Sequence, residues 1–83
     1  MQLAKYVKFR EEKFGGVLFE TRSEKVYTLT PTAAAVVQEI QAGCPPADIV
    51  PRLEQRFQSK DGTIARDVEA FLGELREKGL VEG

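Results

Sequence analysis

Apolar positions in the first third of the chain come in short runs of β-branched and aromatic residues, broken by glycine and charge. From Thr30 onward they recur every three or four residues instead. The first pattern is that of β-strands and the second that of amphipathic helices. Tyr6 to Arg10 is the first candidate strand, with Tyr6, Val7 and Phe9 divided between two faces. Phe14-Gly15-Gly16 predicts a turn, because glycine tolerates positive φ where other residues clash. The turn delivers the chain into a second strand, Val17 to Thr21. Arg22-Ser23-Glu24 is polar and short enough to connect a hairpin, and Lys25-Val26-Tyr27-Thr28-Leu29 supplies the third strand.

Thr30-Pro31 marks the change of pattern: the threonine can cap orphan amides, and proline suits a first helical position, where no N–H is needed. Ala33, Ala34, Val36, Val37 and Ile40 form the apolar stripe of a first helix ending near Ala42, with Gly43 placed for a left-handed cap. After the rigid Cys44-Pro45-Pro46 connector, Ile49, Val50, Leu53 and Phe57 predict a second helix from about Pro46 to Phe57. Pro51 is expected to delay its regular start or tilt its first turn. Ser59 to Gly62 reads as a loop. Ile64, Val68, Phe71, Leu72 and Leu75 then give the strongest helical stripe in the chain, closed by Gly79, and Leu80-Val81 returns to the core. The expected fold class is α+β: a three-stranded antiparallel sheet followed by three helices, an order that resembles winged helix-turn-helix modules.

Composition narrows the function classes. The 83 residues leave room for one core, so residues 1–83 are expected to form a single domain. Hydrophobic residues at 42% and charged residues at 30% are a normal globular balance. One cysteine and no histidine exclude an internal disulfide and make a transition-metal site or a bound cofactor an unexpected feature. A net charge of −1 argues against affinity built on neutralising nucleic-acid phosphates. No apolar run approaches a membrane span, and Met1 to Arg10 lacks the apolar segment of a secretory signal, so a cytoplasmic protein is expected.

Catalytic parts are scarce. Without histidine to activate it, Cys44 reads as a small connector residue rather than a nucleophile. Asp67 with Glu69, or Glu74 with Glu77, would be paired acids on the solvated side of the third helix, where solvation and ion pairing explain them. Phe14-Gly15-Gly16 lacks the spacing of a phosphate cradle and precedes a strand. Arg52, Arg56, Lys60 and Arg66 could form a basic track, the motivation for an alternative reading as a DNA-binding winged helix, but Glu54, Asp61, Asp67 and Glu69 interrupt it. No enzymatic activity and no nucleic-acid or membrane partner is expected.

The third strand, Lys25 to Leu29, would be a sheet edge with unpaired N–H and C=O groups. Lys25 suits an edge kept from self-association, which is the bland reading; the functional one is addition of an extended peptide as a further strand. An exposed edge equally allows a homodimer.

Val26-Tyr27-Thr28-Leu29-Thr30, the helix ending at Ala42-Gly43, Ile49-Val50, Leu53 to Phe57, and the ending Asp67-Val68-Glu69-Ala70-Phe71-Leu72, Leu75, Gly79-Leu80-Val81 together resemble the PqqD family, over roughly Gly16 to Val81. The resemblance implies a RiPP recognition element, which binds the leader segment of a ribosomally made precursor peptide and presents it to a modifying enzyme. A radical S-adenosylmethionine enzyme is the frequent partner in that family. Carried over to this chain, it places Lys25, Val26, Tyr27, Thr28 and Leu29 on the strand side of a peptide site, and Arg66, Asp67, Ala70, Phe71 and Glu74 on the helix side. Phe71, on the apolar stripe, is expected to be core. The hairpin Glu20-Thr21-Arg22-Ser23-Glu24-Lys25 stands where the family's pyrroloquinoline quinone members have Pro-Glu-Gly, and Thr30 where asparagine is typical. A different peptide-modification pathway is implied.

Overall fold

A computed structural model describes residues 1–82. The elements run β1 (Gln2–Leu3), β2 (Val7–Glu12), β3 (Gly15–Glu20), β4 (Lys25–Leu29), α1 (Pro31–Gln41), α2 (Pro46–Phe57), α3 (Thr63–Glu77) and β5 (Val81–Glu82). Strands β2, β3 and β4 form the expected antiparallel meander in that order. The two short strands were not anticipated: Gln2 pairs with Glu82 and Leu3 with Val81, so the two ends of the fold are joined. Buried Ala4 donates its N–H to the Leu80 carbonyl at 2.9 Å, and the Tyr6 hydroxyl donates to the Gly79 carbonyl at 2.6 Å. A two-residue strand is too short for periodicity to reveal.

The glycine pair does not form a turn. The reversal falls at Lys13-Phe14, β2 continues to Glu12, and Gly15 and Gly16 open β3. Only Gly15 has positive φ, at 139°; a Cβ there would lie 2.3 Å from the Leu29 carbonyl oxygen, where β4 passes into α1. Gly16 leaves space of a different kind, since the Phe9 ring lies where its side chain would be. Thus one glycine admits the backbone of the neighbouring strand, and the other admits an aromatic ring.

The helix boundaries follow from their caps. Thr30 accepts a hydrogen bond from the Ala33 N–H at 3.2 Å, and Gly43 at φ +86° ends α1 with the Cys44 N–H on the Glu39 carbonyl. Pro51 neither delays nor interrupts α2; its exposed ring sits inside a continuous helix. Ser59 donates to the Glu54 carbonyl while Gln58 takes the left-handed conformation usually left to glycine. The helices bury Val36, Val37, Ile40, Ile49, Leu53, Val68 and Leu75 against Leu18 and Leu29 of the sheet. Helix α1 lies on one face of the sheet, and α2 and α3 pack against α1 and against each other.

Candidate functional site

The hydrogen-bonding phase of the sheet determines what its open edge offers. Thr21 donates its N–H to the Tyr6 carbonyl at 2.8 Å, one step beyond the Val7–Glu20 pair of the β2–β3 register. In an antiparallel sheet alternate residues bond to opposite neighbours. Hence Phe19 and Val17 bond to β2, while Glu20, Leu18 and Gly16 bond to their partners Lys25, Tyr27 and Leu29 on β4. The main-chain N–H and C=O of Val26 and Thr28 therefore point away from the sheet, along the unpaired edge of β4. Thr30 ends this ladder, because its carbonyl accepts from the Ala34 N–H of α1.

Beside that edge lies a groove of about 610 Å³ between β4 and α3. One wall is Val26 to Leu29, and the other is Asp67, Ala70, Phe71, Glu74 and Lys78. Leu18, Val36, Leu75 and Leu80 supply apolar lining from the core, and Thr30, Thr32 and Ala33 come from the start of α1. The interior is apolar, with charge carried by the α3 side chains.

Helix phase explains which α3 residues reach the groove. Ile64, Val68, Leu72 and Leu75 are buried, whereas Asp67, Phe71, Glu74 and Lys78 occupy the adjacent seam. Phe71 is half-buried and packs against the core from the flank of the stripe, so it is groove wall as well as core. Arg66 follows an exposed path: it lies about 100° round the helix from Asp67, away from the groove. Lys25 likewise does not line it, since it closes the hairpin at the far end of β4. The other eight expected residues line the groove. Lys78, Thr30, Thr32 and Ala33 were missed, as were the core residues Leu18, Val36, Leu75 and Leu80 that floor the groove; only tertiary packing brings them there.

The remaining candidates fall elsewhere. Cys44 is buried beneath the connector, where burial pushes its thiol pKa up and so disfavours the nucleophilic thiolate. Arg52 pairs with Glu39 at 3.2 Å and Arg56 donates to Gln38 at 2.9 Å, so two members of the basic track tether α2 to α1. Among the described residues, no cluster of three or more His, Cys, Asp or Glu side chains could hold a metal ion, and no helix is long and apolar enough to cross a membrane.

A small antiparallel sheet, helices on one face and a free edge opening onto a groove define an α+β domain of the winged helix-turn-helix-like class. The chain belongs to the PqqD family: residues 15–81 match the model described as coenzyme PQQ synthesis protein D. A solved structure titled "Lasso peptide synthetase B1 complexed with the leader peptide" is 28% identical, with a TM-score of 0.81 over 99% of this chain and 96% of that one. "TbiB1 in Complex with the TbiA(beta) Leader Peptide" shares the fold at 23% identity, with a TM-score of 0.85 over 100% of this chain and 96% of that one. SuiB of Streptococcus suis shares it more distantly, at 18% identity and a TM-score of 0.55, over 93% of this chain and 21% of that one. No curated protein sequence matches.

Proposed function

We propose that this chain, acting as one non-catalytic domain, binds the leader segment of a ribosomally made precursor peptide as an added strand on β4 and presents it to a modifying enzyme. The observation that carries this reading is the coincidence of outward main-chain groups at Val26 and Thr28 with an apolar groove along the same strand. Main-chain bonds at those two residues supply affinity whatever the leader sequence. Side chains opposite Tyr27 and Leu29 enter the groove and supply selectivity, since side chains of paired residues share a face. Family membership and the leader-bound relatives support the choice of ligand. The partner enzyme is read as a radical S-adenosylmethionine enzyme or another peptide-modifying enzyme, in keeping with the family, and the reaction is the partner's.

Proline substitution tests the edge directly. In Thr28→Pro, the lost N–H is one that β3 does not use, and edge strands tolerate proline. Binding of a leader peptide selected for affinity to this chain is expected to weaken at least about tenfold while the thermal transition stays nearly in place, the loss expected for a main-chain bond left unmade. Thr28→Ala should bind as wild type. Undiminished binding by a folded Thr28→Pro variant, measured by calorimetry, would overturn the reading.

A further inference from the structure

Among the described residues, no element covers the sheet face opposite the helices. Phe19 and its cross-strand partner Val26 stand side by side on that face, 39% and 60% exposed, with Lys8 next in the row. Isolated exposed apolar side chains are ordinary, but an adjacent pair forms a small apolar surface. This one borders the free edge, so the next place in the row, beyond Val26, is vacant. Val26 also belongs to the groove's wall, which makes the outer face and the groove continuous over the edge.

A strand added to β4 would fill that place. Residues opposite Tyr27 and Leu29 point into the groove, and the residue opposite Val26 points onto the outer face next to Val26, with Phe19 one strand further along the same row and within reach of a long side chain. The neighbouring row, Arg10, Val17 and Thr28, makes a more polar place opposite Thr28. We propose that the Phe19–Val26 pair is a second side-chain subsite for the bound leader, taking an apolar side chain from the residue opposite Val26. The leader is then read on both faces of the sheet. Its binding segment carries two adjacent apolar residues, one tolerant position, and a third apolar residue, in that order or reversed. This rests on strand addition to β4 and goes beyond it, since the groove alone would select only the residues opposite Tyr27 and Leu29.

The test is selection of random twelve-residue peptides, displayed as a library, against the full chain and against a Val26→Thr, Phe19→Ser double variant. Both side chains are on the solvent face, and Val26→Thr alone serves as a second variant that keeps shape and strand preference. Wild type should enrich all three apolar positions, while the variants keep the two groove positions and lose the third. A synthetic copy of the wild-type peptide should bind the double variant roughly five- to tenfold more weakly. Enrichment of the groove positions alone, with equal affinity for wild type and variants, would overturn the outer subsite and leave strand addition standing. Failure to enrich any peptide, or enriched peptides indifferent to Thr28→Pro, would overturn both. Concentration-dependent dimerisation abolished by the double variant, with peptide affinity unchanged, would reassign the pair to a self-contact and overturn the proposal.

Discussion

Gly15→Ala and Gly43→Ala make an informative comparison, because both glycines have positive φ but only one is crowded. Around Gly43 there is open space, so alanine brings only the left-handed backbone penalty, about 1–2 kcal/mol. At Gly15 the added carbon would meet the Leu29 carbonyl and the backbone of Thr30 and Pro31, so the strand-to-helix junction must move. Gly15→Ala should therefore cost more than about 3 kcal/mol in urea unfolding, in the range reserved for backbone conflict. Equal costs at the two positions would remove the close approach from the account. That Gly15 and Gly16 both serve close approach, to the Leu29 carbonyl and the Phe9 ring, was not legible in the sequence, because a Gly-Gly run reads as a turn whenever local conformation is all that is known. The cap at Thr30-Pro31 was legible because all its partners are local.

At the scale of elements, the β3–β4 hairpin presents the edge, and Glu20 holds its turn. The Glu20 carboxylate accepts from the Ser23 hydroxyl and from the Arg22 and Ser23 N–H groups, and these bonds hold its pKa below the ordinary carboxylate value. A depressed folded-state pKa means that this contribution is complete above the unfolded-state value and is lost as pH falls through the folded-state value. Amide signals of Arg22 and Ser23 should therefore move on acidification below the usual carboxylate range, and in Glu20→Gln the acid-dependent component should vanish. An unchanged transition in Glu20→Gln would show that the turn is held otherwise. Helices α1 to α3 were readable almost to the residue from their apolar stripes and the prolines and glycines that bound them, although Pro51 sits inside α2 without the delay or tilt expected of it. The strand Lys25 to Leu29 was readable to the residue, whereas the first two were shifted: Val7 to Glu12 replaces Tyr6 to Arg10, because charged Glu11 and Glu12 continue a ladder that hydropathy would end, and Gly15 to Glu20 replaces Val17 to Thr21.

For the whole molecule, the site is a product of tertiary packing around one open edge. The strand wall and most of the α3 wall were legible, one from edge logic and the other through the family resemblance. Arg66 was assigned to the groove although helix phase turns it to solvent, while the first turn of α1 reaches the groove only through the crossing of α1 with the sheet. The tethering of Arg52 and Arg56 to α1 also leaves the rival DNA-binding reading with fewer free cations than the sequence offered. Strand addition at β4 is the central claim, and amide hydrogen exchange tests it most directly. In the free chain the Val26 and Thr28 amides should exchange quickly while Tyr27 and Leu29, bonded to β3, are protected. Saturating leader peptide should slow Val26 and Thr28 strongly. Unchanged exchange at those two amides, with the peptide demonstrably bound, would contradict the account.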